Sequence, residues 1–313
     1  MTGLPVRAGL DIGGTKIDAV LIDPDGEIVA RDRRASSIGE EAVIGDIADA
    51  LHALAAAAGI GVDEIASAGV GIPGLIDADS GRVLHAVNLG IESSDLAARA
   101  SAVLGIRFRI ENDVKAAALG ASRLHRHDGA TAYLNLGTGV AAGIVVDGGI
   151  WRGGRGVAGE IGHLSVDPAG RRCGCGQQGC IETLCGGGAL ARAWGRGGAF
   201  PIRDIFDAAD LGDPDALLLR GDLFRGAAAA VRALILAVDV DRVIIGGGLT
   251  ALGDRLDAGI RDSLRSDAAS SPFLESLRLD ERIELLPSGS PVAAIGAAMV
   301  GAGTPAKEIM SHG

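Results

Sequence analysis

Short apolar segments separated by glycine-rich turns open the chain. Val6–Ile12 and residues 15–23 lie on either side of Gly13-Gly14, and residues 26–35 follow a second turn. Apolar runs of this length that are bounded by Gly, Pro and Asp are typical of strands. The pattern therefore predicts three strands that are joined by tight turns into an antiparallel meander.

Helical and strand-like patterns alternate after the meander. The Ala-rich segment Glu40–Ala58 has the length and composition of a helix and stops at Gly59, a residue type that commonly ends helices. The pattern next predicts a strand at Ile65–Ile72, a helix at 93–104, a strand at 107–110 and a helix at 114–124.

The same order then begins again. We predict three strands at 130–136, Val140–Val146 and 149–151, with Gly137-Thr138-Gly139 as the turn between the first two. After a Gly- and Cys-rich loop, we expect helices at 188–194, 217–238 and 252–266, strands at 242–245 and 282–286, and a final helix from Val292. Each half thus begins with a strand, a glycine turn and two further strands, which indicates a repeated α/β architecture.

Composition and charge narrow the functional classes. The 313 residues are enough for two domains, and a hydrophobic content of 48% supports a substantial core. Lys and Arg number 29 against 40 Asp and Glu, and the resulting formal charge of −11 argues against a nucleic-acid partner. The longest apolar stretches, such as 227–238, are too short to span a bilayer, and the N-terminus lacks the pattern of a signal peptide. We therefore expect a cytoplasmic protein with no membrane partner.

All four Cys residues lie between Cys173 and Cys185. Cys173, Cys175 and Cys180 form a Cys-x-Cys-x4-Cys pattern in a Gly-rich loop downstream of His163. Three thiols and an imidazole are enough for a closed tetrahedral Zn²⁺ site, which has no open position for chemistry and is therefore structural. Unrelated free thiols are the alternative, which the density of the pattern disfavours. Cys185 competes with His163 as the fourth ligand, but we expect it beyond the first turn of the following helix.

Two glycine turns at matching positions are candidates for phosphate binding. Gly13 and Gly14 allow a tight turn whose amides form an anion-binding nest, and Thr15 adds a hydroxyl donor. Asp11 lies beside this turn, where a carboxylate can hold a phosphate-bound Mg²⁺ through water. Residues 137–139 form the equivalent turn of the second half. A plain hairpin explains either turn alone, whereas two of them at matching positions favour phosphate binding.

Polar residues mark the junction between the strand at 107–110 and the helix at 114–124. Asn112 and Asp113 both precede the helix, where Asn or Asp is the standard N-cap, and a cap explains one of the two. A carboxylate at the carboxyl end of a buried strand is also placed to meet a substrate hydroxyl group. The residues by themselves leave both interpretations open, and the cap is the simpler one.

Three further candidates lie in the second half. Glu160 and Glu182 flank the Cys-rich loop, and carboxylates on a metal-held loop are suited to accept hydrogen bonds from sugar hydroxyl groups. The three glycines at 246–248 follow a strand, where they either let adenosine lie flat or serve packing. The chain also matches G-x-G-x-x-G three times, but no match leads from a strand directly into a helix, which argues against a Rossmann dehydrogenase.

Taken together, these motifs resemble the ROK family of sugar kinases and repressors. They lie in order at residues 11–16, 71–77, 111–115, 136–139, 159–163, 173–180 and 246–248. The resemblance extends from about residue 6 to residue 300, and its most specific part is the His-plus-Cys segment. It implies the actin–hexokinase superfold, in which two α/β (ribonuclease H-like) lobes close over a cleft. The small lobe is then expected at 1–114 with about 292–313, and the large lobe with the zinc loop at 115–291.

The resemblance also implies a role for each candidate residue. Asp113 matches the family's catalytic base. The family's sugar-binding positions are matched by Asn88, Asn112, Glu160, His163 and Glu182, and its zinc ligands by His163, Cys173, Cys175 and Cys180. Its phosphate loops are matched by Asp11, Gly13, Gly14, Thr15 and Lys16 and by Gly137, Thr138 and Gly139, and its adenosine side by Gly246, Gly247 and Gly248.

The function implied by the resemblance is that of an ATP-dependent hexose kinase with Mg²⁺ and a structural Zn²⁺. Its partners are expected to be a small-molecule hexose and further copies of the chain, in a homodimer or homotetramer. Glucose is the first expectation. N-acetylmannosamine and N-acetylglucosamine come next, because the hydroxyl-binding residues serve all three sugars. Many glucose kinases of the family carry a Trp shortly after an Asn-Leu pair, and its absence after Asn88-Leu89 argues against a firm choice of glucose.

Three alternatives remain beside that function. A non-catalytic sugar-binding regulator is disfavoured by the intact Asp113. A DNA-binding repressor needs a helix-turn-helix arm, for which the five residues before the first strand are too few. A kinase that uses polyphosphate is a variant of the main hypothesis, and residues 246–248 favour ATP.

Overall fold

The computed structural model describes residues 5–77, 80–125 and 129–303. Two compact units make up the chain: Met1–Ala121 with Pro291–Gly313, and Ser122–Ser290. The outermost parts of the expected small lobe, residues 1–4 and 304–313, lie outside the described residues.

The first unit is built around a five-stranded sheet. Its elements up to the unit boundary are β1 (Val6–Ile12), β2 (Lys16–Ile22), β3 (Ile28–Ala35), α1 (Glu40–Ala58), β4 (Ile65–Ile72), β5 (Leu75–Ile76), β6 (Val83–Ala86), β7 (Ile91–Ser94), α2 (Leu96–Leu104), β8 (Phe108–Asn112) and α3 (Asp113–His125). The main sheet has the order β3-β2-β1-β4-β8, and β5-β6-β7 form a small sheet of their own. Strands β1 to β3 pair antiparallel, whereas β4 pairs parallel with both β1 and β8.

The second unit repeats this sheet. Its elements are β9 (Thr131–Leu136), β10 (Val140–Val146), β11 (Gly149–Ile150), α4 (Ile181–Cys185), α5 (Gly187–Trp194), α6 (Pro201–Asp210), α7 (Pro214–Val238), β12 (Arg242–Gly246), α8 (Asp254–Ala268), α9 (Pro272–Leu277) and β13 (Ile283–Leu285). The order β11-β10-β9-β12-β13 again places an antiparallel meander beside two parallel strands. The chain then forms α10 (Val292–Ala302), which belongs to the first unit.

The repeated architecture expected from the sequence is confirmed by these two sheets. Four elements have the predicted bounds, namely β1, α1, β4 and β10. Helix α1 shows why such segments are readable: Val43, Ile47, Leu51 and Leu54 recur at helical spacing and are fully buried. Gly59 ends the helix in the left-handed conformation at φ 70°.

The predicted helix at 93–104 is wrong at its start. Ser93 and Ser94 belong to β7, which pairs antiparallel with β6, and α2 begins only at Leu96. The Ser94 hydroxyl also donates a hydrogen bond to the carboxylate of Glu40. The first interaction is with the neighbouring strand β6 and the second is with a residue 54 positions away, and together they override the local helical pattern.

Besides β7, five elements have no counterpart among the predictions: β5, β6, α4, α6 and α9. Four of them contain six residues or fewer, too few for a helical or strand period to show. Helix α6 has 10 residues, and its buried face consists of Ile205, Phe206 and Ala209. Among the described helices, none has both the length and the apolar character that crossing a bilayer requires.

Candidate functional site

The first glycine turn joins β1 to β2. The Gly13 amide donates a hydrogen bond of 2.9 Å to the carbonyl oxygen of Lys16, which closes the turn. Thr15 is exposed at its tip, and its carbonyl oxygen accepts a hydrogen bond from the Ser36 amide at 3.3 Å. The turn is therefore a compact loop at the end of a buried strand pair, and the Gly13 amide is used to close it.

Asp11 lies just before this turn on β1, opposite Asp18 of β2 and beside Gly71 of β4. Burial, followed by the charges of Asp113 and Asp18, raises the pKa of the Asp11 carboxyl to about 7, while Lys16 acts in the opposite direction. Nearby carboxyl groups are unfavourable when they are all ionised, and a bound cation offsets this repulsion. Asp11 is therefore suited to hold a metal ion in its ionised form.

Asn112 forms the N-cap of α3. Its Oδ1 atom accepts hydrogen bonds from the amides of Val114 at 3.1 Å and Lys115 at 3.2 Å. Its Nδ2 atom donates to the carbonyl oxygen of Gly74 at 3.2 Å. One Asp113 oxygen also lies 2.9 Å from the Val114 amide. Because Asn112 already satisfies two amides of the first turn, a capping role is not needed to explain Asp113.

The first unit brings its predicted site residues together. A Cβ atom on Gly14 would lie 3.0 Å from Cβ of Asn88, which is an exposed residue in the short 3₁₀ helix Val87–Leu89. A Cβ atom on Gly71 would lie 3.4 Å from Cα of Asp113. Asn88 thus lies against the glycine turn, and Asp113 begins α3 beside β4.

In the second unit, Glu160 and His163 are positioned by a segment that lies directly on β10. The Ala142 amide donates to the carbonyl oxygen of Gly159 at 2.7 Å. Gly159 adopts φ 97°, and a Cβ atom there would lie 1.9 Å from the carbonyl oxygen of Ala142. Only glycine permits this approach. Glu160 follows as an exposed residue, and His163 ends the 3₁₀ helix Ile161–His163.

His163, Cys173, Cys175 and Cys180 form one cluster whose candidate ligand atoms all lie within 4.8 Å of one another. The Nδ1 atom of His163 lies 3.7 Å from Sγ of Cys173, and the Sγ atoms of Cys175 and Cys180 are also 3.7 Å apart. Ligands around a tetrahedral Zn²⁺ are about 3.6–3.8 Å apart, because the metal–ligand bonds measure about 2.0–2.3 Å. The cluster therefore fits a zinc ion bound through Nδ1 of the histidine.

The thiols of this region differ in their acidity. Hydrogen bonds from the main chain and side chain of Gln177 lower the pKa of the Cys175 thiol to about 6, which favours the thiolate that a metal binds. Cys185 lies outside the cluster at the end of α4, where its thiol is fully buried and donates to the carbonyl oxygen of Ile181. Burial is the main cause that raises the pKa of the Cys185 thiol, so this thiol stays protonated.

The second glycine turn lies between β9 and β10 and contacts two predicted site regions. The Gly137 amide donates to the carbonyl oxygen of Gly139 at 3.1 Å. Oε2 of Glu182 accepts the Val140 amide at 3.0 Å, so this carboxylate lies against the turn. Gly247, in the run 246–248, adopts φ 92°, and a Cβ atom there would lie 2.5 Å from the carbonyl oxygen of Leu136.

The sequence also contains site residues that the motif analysis did not identify. Gly186, Gly187 and Gly188 follow α4, and the amides of the last two donate to the carbonyl oxygens of Gly137 and Thr138. The only signal in the sequence is the run of three glycines, and in a chain with 50 glycines such a run carries little weight.

Comparison with known proteins gives the family. A family model described as the ROK family matches residues 7–300. The chain is a member of the ROK family. The family resemblance predicted from the motifs is therefore confirmed.

Individual ROK proteins resemble this one over most of its length. A glucokinase from Halalkalibacterium halodurans is 33% identical over 269 residues, which cover 79% of this chain and 82% of that protein. An N-acetylmannosamine kinase from Yersinia pseudotuberculosis is 33% identical over 247 residues, covering 77% of this chain and 82% of the relative.

The solved structure of a ROK family glucokinase from Streptomyces griseus in complex with glucose and AMPPNP is also similar. It superposes with a TM-score of 0.77 at 30% identity and covers 95% of this chain and 99% of that one. This similarity confirms the predicted fold class, an α/β protein of the actin–hexokinase type.

Proposed function

We propose that this ROK protein is an ATP-dependent hexose kinase that transfers the γ-phosphoryl group of ATP to a sugar hydroxyl group, with glucose as the first candidate sugar. The observation that carries the proposal is the position of Asp113. It begins α3 at the end of a buried parallel strand, it interacts electrostatically with Asp11 beside a glycine turn, and Asn112 already caps the helix. The similarity to a glucokinase with bound glucose and AMPPNP supports the same function.

Asp113 is the proposed general base. Its carboxylate takes the proton of the attacking hydroxyl group, the hydroxyl oxygen forms a bond to the γ-phosphorus, and the bond between that phosphorus and the bridging oxygen breaks, which releases ADP. A positioned carboxylate of this kind accelerates a reaction by roughly 10²–10⁴-fold. Because such a transfer relies mostly on alignment and charge stabilisation, the glycine turns are the other essential parts.

Phosphate binding is assigned to the two turns, residues 11–16 and 137–139, and adenosine binding to residues 246–248. Gly247 lies close to Leu136, the residue before the second turn. This proximity supports the proposal that residues 137–139 and 246–248 bind the same nucleotide. Mg²⁺ supplies neutralisation of the phosphate charge when it is bound. Asp11 is the proposed residue to hold that ion, through water, because burial and then the neighbouring acidic groups make its ionised form unfavourable without a cation.

The proposed sugar-binding residues are Asn88, Asn112, Glu160, His163 and Glu182. Asn112 is held rigidly by its hydrogen bonds to the α3 amides and to Gly74, which also fixes the neighbouring Asp113. His163 presents Nδ1 to the cysteine cluster, so its Nε2 atom is the one left for a sugar hydroxyl group. Zn²⁺ in this cluster has a structural role, because its four protein ligands leave no open position.

N-acetylmannosamine is the second candidate sugar, with N-acetylglucosamine beside it. One of the relatives at 33% identity is an N-acetylmannosamine kinase, and the segment after Asn88-Leu89 contains no Trp. A homodimer or homotetramer stays a prediction from the family resemblance, and light scattering in solution measures the mass that decides it.

A coupled assay of ADP release over a panel of hexoses tests the proposal. We expect the highest kcat/KM with glucose, a lower value with N-acetylmannosamine, and no turnover when Mg²⁺ is omitted. A higher kcat/KM with an acetamido sugar would replace the first candidate by the second. Formation of sugar phosphate from polyphosphate but not from ATP would reassign the donor, and no sugar phosphate from either donor with any hexose would refute the kinase function.

A further inference from the structure

The carboxylate of Glu182 lies directly against the second glycine turn. Its Oε2 atom accepts a 3.0 Å hydrogen bond from the amide of Val140, the first residue after the turn. A Cβ atom on Gly139 would lie 2.7 Å from the same oxygen. The side chain therefore touches the region proposed to bind phosphate, although the motif analysis had assigned it to the sugar.

The start of α5 contacts the same turn through two amides. Gly187 donates to the carbonyl oxygen of Gly137 at 2.8 Å, and Gly188 donates to that of Thr138 at 2.9 Å. A Cβ atom at Gly187 would lie 2.9 Å from the first carbonyl oxygen, and one at Gly188 would lie 3.1 Å from the second. These hydrogen bonds direct the two carbonyl groups of the turn towards α5.

Helix α4 connects these contacts to the cysteine cluster. The helix starts directly after Cys180, whose carbonyl oxygen accepts hydrogen bonds from the hydroxyl group of Thr183 at 2.7 Å and from its amide at 2.9 Å. Arg171 lies in the Cys-rich loop, residues 164–180, and its guanidinium group donates to the carbonyl oxygen of Thr183 at 2.6 and 3.1 Å. One residue before Thr183, the Glu182 carbonyl oxygen accepts the Gly186 amide at 2.9 Å.

We propose that Glu182, Gly187 and Gly188 are positioning residues for the second phosphate turn, and that the Cys-rich loop sets the geometry of this turn through α4. The proposal rests on the proposed kinase function, because it assumes that residues 137–139 bind ATP. A negative charge at Glu182 by itself disfavours a nearby phosphate group. Its benefit to nucleotide binding therefore comes from the hydrogen bond that fixes the turn, while its second oxygen stays available to a sugar hydroxyl group.

Titration calorimetry with Mg²⁺-AMPPNP in the absence of sugar tests this role. Glu182→Ala removes the acceptor for the Val140 amide, and we expect the dissociation constant to rise about tenfold. Glu182→Gln keeps an oxygen acceptor and removes the charge, so its dissociation constant should equal or fall below that of the wild type. Glu160→Gln is the matched control at the other carboxylate beside the Cys-rich loop, and its nucleotide affinity should not change.

Gly188→Ala provides a second, independent test, because the added methyl group pushes against Thr138. It should also raise the dissociation constant, and it decides the proposal if Glu182→Ala does not fold. Wild-type affinity in Glu182→Ala, or an equal loss in Glu182→Gln, would overturn the positioning role. A wild-type protein that binds no nucleotide would instead refute the kinase function on which the proposal depends.

Discussion

At the scale of single residues, the neighbouring side chains of Asn112 and Asp113 have separate roles. Asn112 satisfies two amides of α3 and holds the carbonyl oxygen of Gly74. Asp113 interacts electrostatically with Asp11, which lies on β1. A structural residue and a proposed catalytic residue are thus adjacent in the sequence, and they are separable by mutation.

Asp113→Asn should lower kcat by roughly 10²–10⁴-fold, because the amide cannot take the proton of the sugar hydroxyl group. The sugar affinity should stay within a few-fold of the wild type, and the melting temperature should not change, since the cap on α3 is intact. Steady-state kinetics, sugar titration and thermal melts measure the three quantities. A variant with normal kcat would show that the base is elsewhere.

Asn112→Ala is the matched variant for stability. Loss of an N-cap side chain costs about 1 kcal/mol of the free energy of unfolding, so we expect a lower melting temperature. The same substitution should also loosen Asp113 and lower kcat. Asn112→Ala and Asp113→Asn are therefore distinguished by melting temperature, because only Asn112→Ala should lower it. An unchanged melting temperature would contradict the assignment of the cap to Asn112.

Asp11→Asn should stabilise the protein in a pH-dependent way while it abolishes turnover. The folded-state pKa of Asp11, about 7, exceeds the usual 3.8, so the folded protein binds a proton at this carboxyl group more tightly than the unfolded protein does. Stability from this group is therefore present at low pH and is lost as the pH rises towards 7. With EDTA present, the melting temperature of Asp11→Asn should exceed that of the wild type at pH 8, and the difference should shrink by pH 5. A difference independent of pH would refute the perturbed titration.

At the scale of elements, short segments carry the candidate site and long elements support them. The 3₁₀ helix Ile161–His163 and the five-residue α4 both border the Cys-rich loop, and neither is long enough to be stable alone. A metal ion that joins His163 to three thiols would fix both segments, since the binding free energy of a structural zinc is also folding free energy. With such an ion bound, the cluster would hold the two segments together.

Elemental analysis should find about one zinc per chain in protein purified without chelators. Cys175→Ser should lose the metal, solubility and sugar affinity together, because Glu160, His163 and Glu182 lie on the segments that the metal joins. Cys185→Ser is the control. It should keep the metal, since this thiol lies outside the cluster and donates to Ile181. Loss of zinc from Cys185→Ser would overturn the ligand assignment.

At the scale of the whole molecule, two five-stranded sheets of identical order form the centres of two units. Each sheet has a glycine turn between its first two strands in sequence, Ile12 to Lys16 in one and Leu136 to Val140 in the other. The repeated plan places one of the two turns proposed to bind phosphate in each unit. The chain crosses from one unit to the other twice, because α3 ends in the second unit and α10 returns to the first.

Glucose at 100 times its dissociation constant should add about 2.7 kcal/mol to the free energy of unfolding of the binding-competent protein. We expect a rise in melting temperature of roughly 5 °C. Asp113→Asn should show the same rise, because it still binds sugar, and sorbitol at the same concentration should have little effect. An equal rise with every monosaccharide would show that the stabilisation is not specific.

The sequence by itself determined the features that depend on local pattern. The bounds of β1, α1, β4 and β10 follow from apolar periodicity and glycine stops, and the four members of the metal cluster follow from short spacings in one loop. These features are readable because the residues that cause them are close together in the chain. The repeated order of strands is readable for the same reason.

Only the tertiary structure decided which residues distant in sequence touch each other. It made Asn112 the cap, placed the Glu182 carboxylate on the Val140 amide, and moved Ser93 from the predicted helix into β7. The contact between Glu182 and Val140 joins residues 42 positions apart, and Ser93 pairs with Leu84 on another strand. These contacts, like the choice of Asn112 as the cap, outweigh a weak local preference, and a one-dimensional pattern contains no distance from which to predict them.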